Sequence, residues 1–149
     1  MTDIYLNGAT IMTTPTQLQM EIARAAGFSG IEARAERLLE HPEEVTASSQ
    51  ATRPGHVWSL NGVRIGLTPD GDLEQRTLEA DLSARLEICR AIHAGYLLVV
   101  PPRVAGLDEA AALPGVRNGL AVARGEVIMV EQTSGVRIID IFKPGAMGQ

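Results

Sequence analysis

GDLEQRTLEADLSARLEICRAIHAGYLLVVPP (Gly71–Pro102) reads as a long helix handed straight to a buried strand. Asp72 is placed to cap the helix, with Gln75 three residues on. Leu78, Leu82, Leu86 and Cys89 recur at helical spacing and make one continuous apolar face. Glu74, Arg76, Glu79, Asp81 and Arg85 lie mostly off that face. Gly95 is expected to close the helix as its C′ residue. Tyr96–Val100 shows no polar alternation, the pattern of a strand covered on both faces. Pro101-Pro102 stops it, because proline has no N–H to give to a ladder.

The same alternation recurs upstream. Ile4–Met12 reads as a first strand. Thr14-Pro15-Thr16-Gln17 then reads as a helix start, with Thr14 as cap, Pro15 at the first helical position and Gln17 completing a capping box. Leu18, Ile22 and Ala25/Ala26 recur at helical spacing, and Gly27 suits the left-handed C′ position. Gly30–Arg34 reads as a second strand and His56–Val63 as a third. Between them, Ala35–Glu40 begins as a helix. A polar, turn-rich stretch follows, with a short helix near Pro42–Val45 and then a surface loop. Strands alternating with helices imply parallel pairing and an α/β architecture.

The tail reads in two ways. Val116–Arg124 looks helical. Glu126–Gln132 and Val136–Phe142 are rich in β-branched residues and flank Thr133-Ser134-Gly135, which on local signals is a β-hairpin. Lys143–Gln149 is expected to be a loose end to a single domain spanning 1–142.

Composition narrows the function classes. The 149 residues fit one domain, and 45% hydrophobic content is enough for a core. With 13 basic and 18 acidic residues the net charge is −5, and no basic patch appears, which argues against nucleic acid as a partner. The single cysteine, Cys89, excludes an intrachain disulfide and fits a reducing compartment. No signal-peptide pattern or membrane-length apolar run is seen, so a cytoplasmic protein without membrane partners is expected.

LNGATIMTTPTQLQMEIARAAGFSGIEARAERL (Leu6–Leu38) resembles the sugar phosphate isomerase/epimerase family, the xylose-isomerase-like barrels. The resemblance lies in a polar end to strand one, a helix ending in Ala23-Arg24-Ala25-Ala26-Gly27-Phe28, and then Gly30-Ile31-Glu32. Ser59-Leu60-Asn61 is similar to that family's third strand, and RAIHAGYLLVVPP (Arg90–Pro102) to its passage into the fourth. The match runs over 4–104 and more loosely over 113–142. Such barrels are typically about 250 residues long. The resemblance therefore implies a partial, half TIM-type β/α barrel of four or five parallel strands, expected to be a truncated piece inactive alone or else a chain completed by a second copy or another chain.

Barrel active sites lie at the C-terminal ends of the strands. On that rule Asn7 and Thr10 on strand one, Glu32 and Arg34 on strand two, and Asn61 on strand three are candidates. Arg103 lies just past strand four, whereas His56 opens strand three at the opposite face. The resemblance implies proton transfer next to a carbonyl of a sugar or sugar phosphate, with Glu32 as the catalytic carboxylate. It also implies a divalent metal such as Mn or Mg. The family's metal ligands come from strands five to eight, and Asp140 is the carboxylate this chain offers there. The plainer readings stay open. Glu32 then pairs with Arg34 or a neighbour, Asn7 and Asn61 satisfy backbone groups at strand ends, and Asp140 is a solvated strand carboxylate. His93 near a helix C-terminus reads as structural, and Cys89 as a buried, inert thiol.

Two functions follow. One is an isomerase or epimerase active when the remaining strands come from self-association, which would also cover open sheet edges. The other is a non-catalytic folded fragment or self-associating interaction module. A helix through Val127–Glu131 favours the first, and a strand there favours the second. A barrel lyase or phosphodiester hydrolase is a weaker third reading.

Overall fold

The computed structural model describes residues 2–123 in full and the backbone of 125–130 and 133–138. These residues form an α/β fold around a four-stranded parallel sheet in the order β1-β2-β3-β4, with β1 at Tyr5–Asn7, β2 at Gly30–Arg34, β3 at Val57–Arg64 and β4 at Tyr96–Val100. The helices among them are α1 (Thr16–Ala25), α2 (Ala35–Glu40), α3 (Pro42–Ala51), α4 (Gln75–Ala91) and α5 (Glu109–Ala123). None is long and apolar enough to cross a membrane. The chain divides into two compact units, Met1–Gly62 with Arg85–Leu98, and Val63–Ala84 with Val99–Gln149.

In the first unit α1 packs on β2 and α3. Ile31 and Ala33 of β2 are fully buried, as are Ala23 of α1, Leu60 of β3 and Ile92 just past α4. Glu32 and Arg34 alternate to the other sheet face, where they are half-buried.

Four local readings are corrected here. The first strand stops at Asn7, and Gly8–Ile11 is a 3₁₀ turn rather than its continuation. Asn7 enforces the break: its Oδ1 accepts from Ala9 N–H at 2.8 Å, and its carbonyl accepts from the Thr10 hydroxyl at 2.7 Å. Helix α1 starts at Thr16, with Pro15 as an N-cap that has no side-chain bond. Its first turn is satisfied from a distance instead, since the buried Glu44 carboxylate of α3 accepts from Thr16 N–H (2.9 Å) and the Thr16 hydroxyl (3.1 Å). The helix also turns an unexpected face inward. Thr16, Gln19, Met20 and Ala23 are buried, whereas Leu18 and Ile22 are 42% and 40% exposed. Gln19 is drawn in because its amide donates to Thr14 O at 2.8 Å. Finally, α3 runs on to Ala51 where a loop was expected, because its buried positions are the polar residues Glu44 and Ser48.

Gly27 takes the left-handed position after α1, with φ 85°. Phe28 N–H reaches Ala23 O and Gly27 N–H reaches Arg24 O, a Schellman closure. Helix α4 closes in the same way, since Ala94 N–H reaches Cys89 O, but the left-handed residue is His93 (φ 58°), not Gly95. A side chain in that region is strained by about 1 kcal/mol or more. His93→Gly is therefore expected to stabilise the protein by about 0.5–1 kcal/mol in urea unfolding.

In the second unit α5 starts at Glu109, where the Asp108 carboxylate accepts from Ala111 N–H at 2.8 Å. Its Gly115 and Gly119 allow close approach, since a Cβ at Gly115 would lie 2.5 Å from Gly71 O and one at Gly119 2.8 Å from Ile65 Cγ2. Val63, Ile65, Leu78 and Leu82 are buried in this unit. Gly125–Val130 (β5) pairs antiparallel with Thr133–Ile138 (β6), so the tail is a hairpin and residues 127–130 are strand. The turn expected at Thr133-Ser134-Gly135 falls inside β6, because Val130 pairs with Thr133.

Candidate functional site

The register across the first three strands builds a polar row. Asn7 pairs with Glu32, Glu32 with Ser59, and Arg34 with Asn61. A β-bulge makes this possible. Ile31 pairs with Val57 and Glu32 with Ser59, so Trp58 is the extra residue and the side-chain parity of β3 reverses there. Val57 thus shares the core face with Ile31, while Ser59 and Asn61 share the face of Glu32.

The result is a hydrogen-bonded carboxylate at the middle of β2. The Ser59 hydroxyl donates to Glu32 Oε2 at 2.7 Å, and the Asn61 amide donates to Glu32 Oε1 at 3.3 Å. Ser59 is fully buried, whereas Glu32 and Asn61 are half-buried. A carboxylate oxygen has two acceptor positions, so each oxygen of Glu32 keeps acceptor capacity beyond these bonds. Such a group can accept from ligand hydroxyls or take a proton from an acidic carbon.

The structure thus brings Glu32 and Asn61 together and adds Ser59, which the sequence flagged only within a strand. Arg34 lies two register positions along, and its guanidinium is 3.8 Å from Glu36. Asn7 is next to Glu32 in register but uses its Oδ1 to hold the 3₁₀ turn. Thr10 is exposed on that turn, bonded to Asn7 O, and is not a strand residue. Asp140 lies outside the described residues.

The donor set tests the fit to a metal. Among the described residues, the group of His and acidic side chains close enough to share an ion is His41, Glu43 and Glu44. Glu44 is already engaged. Besides the two Thr16 bonds it accepts from Arg37 Nε (2.9 Å) and Nη2 (2.6 Å). Burial pushes the Glu44 carboxyl up, but the bonds from Arg37 and Thr16 and the Arg37 charge outweigh it and hold the group below its ordinary value. An ion there would have to displace a guanidinium, so these residues do not fit a divalent metal.

His56 precedes β3 and accepts at Nδ1 from Arg24 Nη2 (2.6 Å) and Arg53 N–H (3.1 Å). Burial, then the charges of Arg24 and Arg53, push its pKa down, so it sits as a neutral acceptor. Cys89 is 7% exposed, and burial pushes its thiol up to about 12. A disulfide-exchange reagent is expected to label the native protein at least about 100-fold more slowly than the chain unfolded in guanidinium. Equal rates would mean that the thiol is accessible.

The second unit holds its own cavity of about 500 Å³, lined by Pro101, Pro102, Arg103, Leu107, Leu113 and Val116 among others. Of the residues singled out from the sequence it contains Arg103. No protein-family model, curated protein or solved structure matches this chain.

Proposed function

We propose that this protein binds a sugar or sugar phosphate on the Glu32 face of its sheet. In this reading it is half of a xylose-isomerase-like barrel that performs proton transfer of the isomerase/epimerase kind when a second copy or another chain supplies the rest. The observation that carries this reading is the half-buried Glu32 carboxylate held by Ser59 and Asn61. Its oxygen takes the proton from the carbon next to the sugar carbonyl. The electron pair of that C–H bond moves into the C–C bond, and the carbonyl oxygen takes up the charge. Arg34, two residues further along β2 on the same face, is the cation assigned to balance it. No step is assigned to a metal.

The test is exchange of the carbon-bound proton of aldoses, ketoses and their phosphates in D2O, followed by proton NMR. Glu32→Gln is expected to lower the exchange rate by about 100-fold or more while the protein stays folded. Undiminished exchange in that variant removes Glu32 from the chemistry. No exchange in the native protein, at concentrations where it self-associates, removes the activity.

The strand at Gly125–Val130 favours a second reading, a non-catalytic self-associating module. That reading predicts oligomers in sedimentation with no exchange in any sugar.

A further inference from the structure

The chain leaves β4 at Val100, passes through Pro101-Pro102 and enters α5 at Glu109, and this connection builds the second unit's cavity of about 500 Å³. That volume falls within the range of small-molecule sites, roughly 300–1,000 Å³. Parallel sheets bind ligands at the loops beyond the carboxyl ends of their strands, and this loop is one of those. The wall is apolar: Pro101 and Pro102 line it at the end of β4, Leu107 in the connection, and Leu113 and Val116 on α5. Leu113 is 47% exposed, so the wall offers a large apolar side chain to whatever enters.

The charged side chains of the lining are Arg103, Asp108 and Glu109. Asp108 is engaged by the fold, because its carboxylate accepts from Ala111 N–H at 2.8 Å and caps α5. Arg103 and Glu109 differ from it. Among the described residues neither side chain has a hydrogen bond or an ion pair, and the two do not pair with each other. The cavity thus keeps a cation and an anion apart beside an apolar wall. Two carboxylates against one guanidinium disfavour an anion such as phosphate. A simple amine would leave Arg103 unanswered, and a simple carboxylate would leave Glu109 unanswered. A zwitterion with an apolar body matches both charges and the wall.

We propose that this cavity binds a free aliphatic α-amino acid of the leucine kind. Arg103 takes the carboxylate, which its planar fork of donors suits. Glu109 accepts from the ammonium group. The aliphatic side chain lies on Leu107, Leu113 and Val116. A few placed polar groups on an apolar lining are what fix a small ligand's orientation. The inference goes beyond the sugar reading and does not depend on it, since these residues belong to the second unit and Glu32 to the first.

The test is calorimetric titration of the full-length protein with L-leucine. Beside it run 4-methylpentanoate, which lacks the ammonium group, and 3-methylbutylamine, which lacks the carboxylate. Saturable binding of leucine is expected, with each of the other two weaker by at least about tenfold. L-Alanine, with its shorter side chain, is expected to be weaker by about tenfold or more as well. Arg103→Gln should weaken leucine by about tenfold and leave 3-methylbutylamine unchanged, and Glu109→Gln should weaken leucine and leave 4-methylpentanoate unchanged. Both residues are exposed, so these variants keep the fold, which circular dichroism checks. No saturable heat with leucine at millimolar concentration overturns the proposal. Equal affinity for leucine and 4-methylpentanoate does the same, as does unchanged leucine affinity in both variants. Oligomers that dissociate on Leu113→Ser, with no heat from leucine, also overturn it, since a second copy then covers the wall. Sugar proton exchange without leucine binding sinks the amino-acid site alone. Leucine binding without exchange sinks the catalytic reading and leaves this site standing.

Discussion

Glu44→Gln is expected to destabilise the protein by about 3 kcal/mol, because it removes one partner of a buried ion pair. The side chains of Arg37 and Glu44 are 17% and 6% exposed and make two bonds at 2.6 and 2.9 Å. The same carboxylate satisfies Thr16 N–H and the Thr16 hydroxyl at the start of α1, and Arg37 Nη1 donates to Met12 O at 3.0 Å. One substitution therefore loosens α3, the start of α1 and the turn before it. For a chain of this size the unfolding midpoint should fall by roughly 6–12 °C.

The pH dependence has a definite sign. The folded pKa of Glu44 lies below its unfolded value, so its contribution is fully present above about pH 4.3 and is lost as pH falls through the folded value. Native protein and variant should differ by a constant amount from neutrality to about pH 5 and converge in stronger acid. Thermal melts of both across that range check this. A gap that persists unchanged at the acid end would mean that the ionised carboxylate is not what stabilises the fold.

Gly30→Ala is expected to be as damaging, through sterics alone. A Cβ at Gly30 would lie 1.9 Å from His56 O and 2.6 Å from His56 C, both backbone atoms that no side-chain rotation can move. His56 O also accepts from Ile31 N–H at 2.9 Å, so relief of the clash breaks the first rung between β2 and β3. Overpacking ordinarily costs about 1–3 kcal/mol, and a clash with backbone belongs at the upper end, about 3 kcal/mol. Serine should behave like alanine, since both carry the Cβ. Gly27→Ala separates this effect from backbone conformation. At Gly27 nothing lies within 4 Å and only the positive φ is strained, so a loss of about 1 kcal/mol is expected. Equal losses at the two positions in urea unfolding would refute the steric account.

The elements that the chain announced are those whose signals are local. Tyr96–Val100 begins at a glycine and ends at two prolines, and Gly30–Arg34 follows a helix closed by Gly27; both strands have the expected bounds. Helix α4 carries three leucines and Cys89 on one stripe, and Leu78 and Leu82 are indeed buried. Helix α3 escaped because its inner face is Glu44 and Ser48, which apolar periodicity cannot detect. Helix α1 was recognised as a helix, yet its apolar stripe points outward because Gln19 and Thr16 bond inward.

The candidate site divides the same way. Strand-end reasoning singled out Glu32 and Asn61 from residue type and position alone, and the register joins them. Ser59 was hidden by a single extra residue. Strict alternation over Val57–Ser59 places Ser59 with Val57, and the bulge reverses that. By itself, then, the sequence determined the α/β class, the parallel strand-helix order and the positions of β2 and β4, because alternation, the closing Gly27 and the Pro101-Pro102 stop act within a few residues. Only the tertiary structure decided which face of α1 is buried, which carboxylate holds its first turn, and which side chains share the Glu32 face. Those outcomes rest on hydrogen bonds and register between residues about thirty positions apart, such as Thr16 with Glu44 (28 apart) and Glu32 with Ser59 (27 apart), and no local period encodes them.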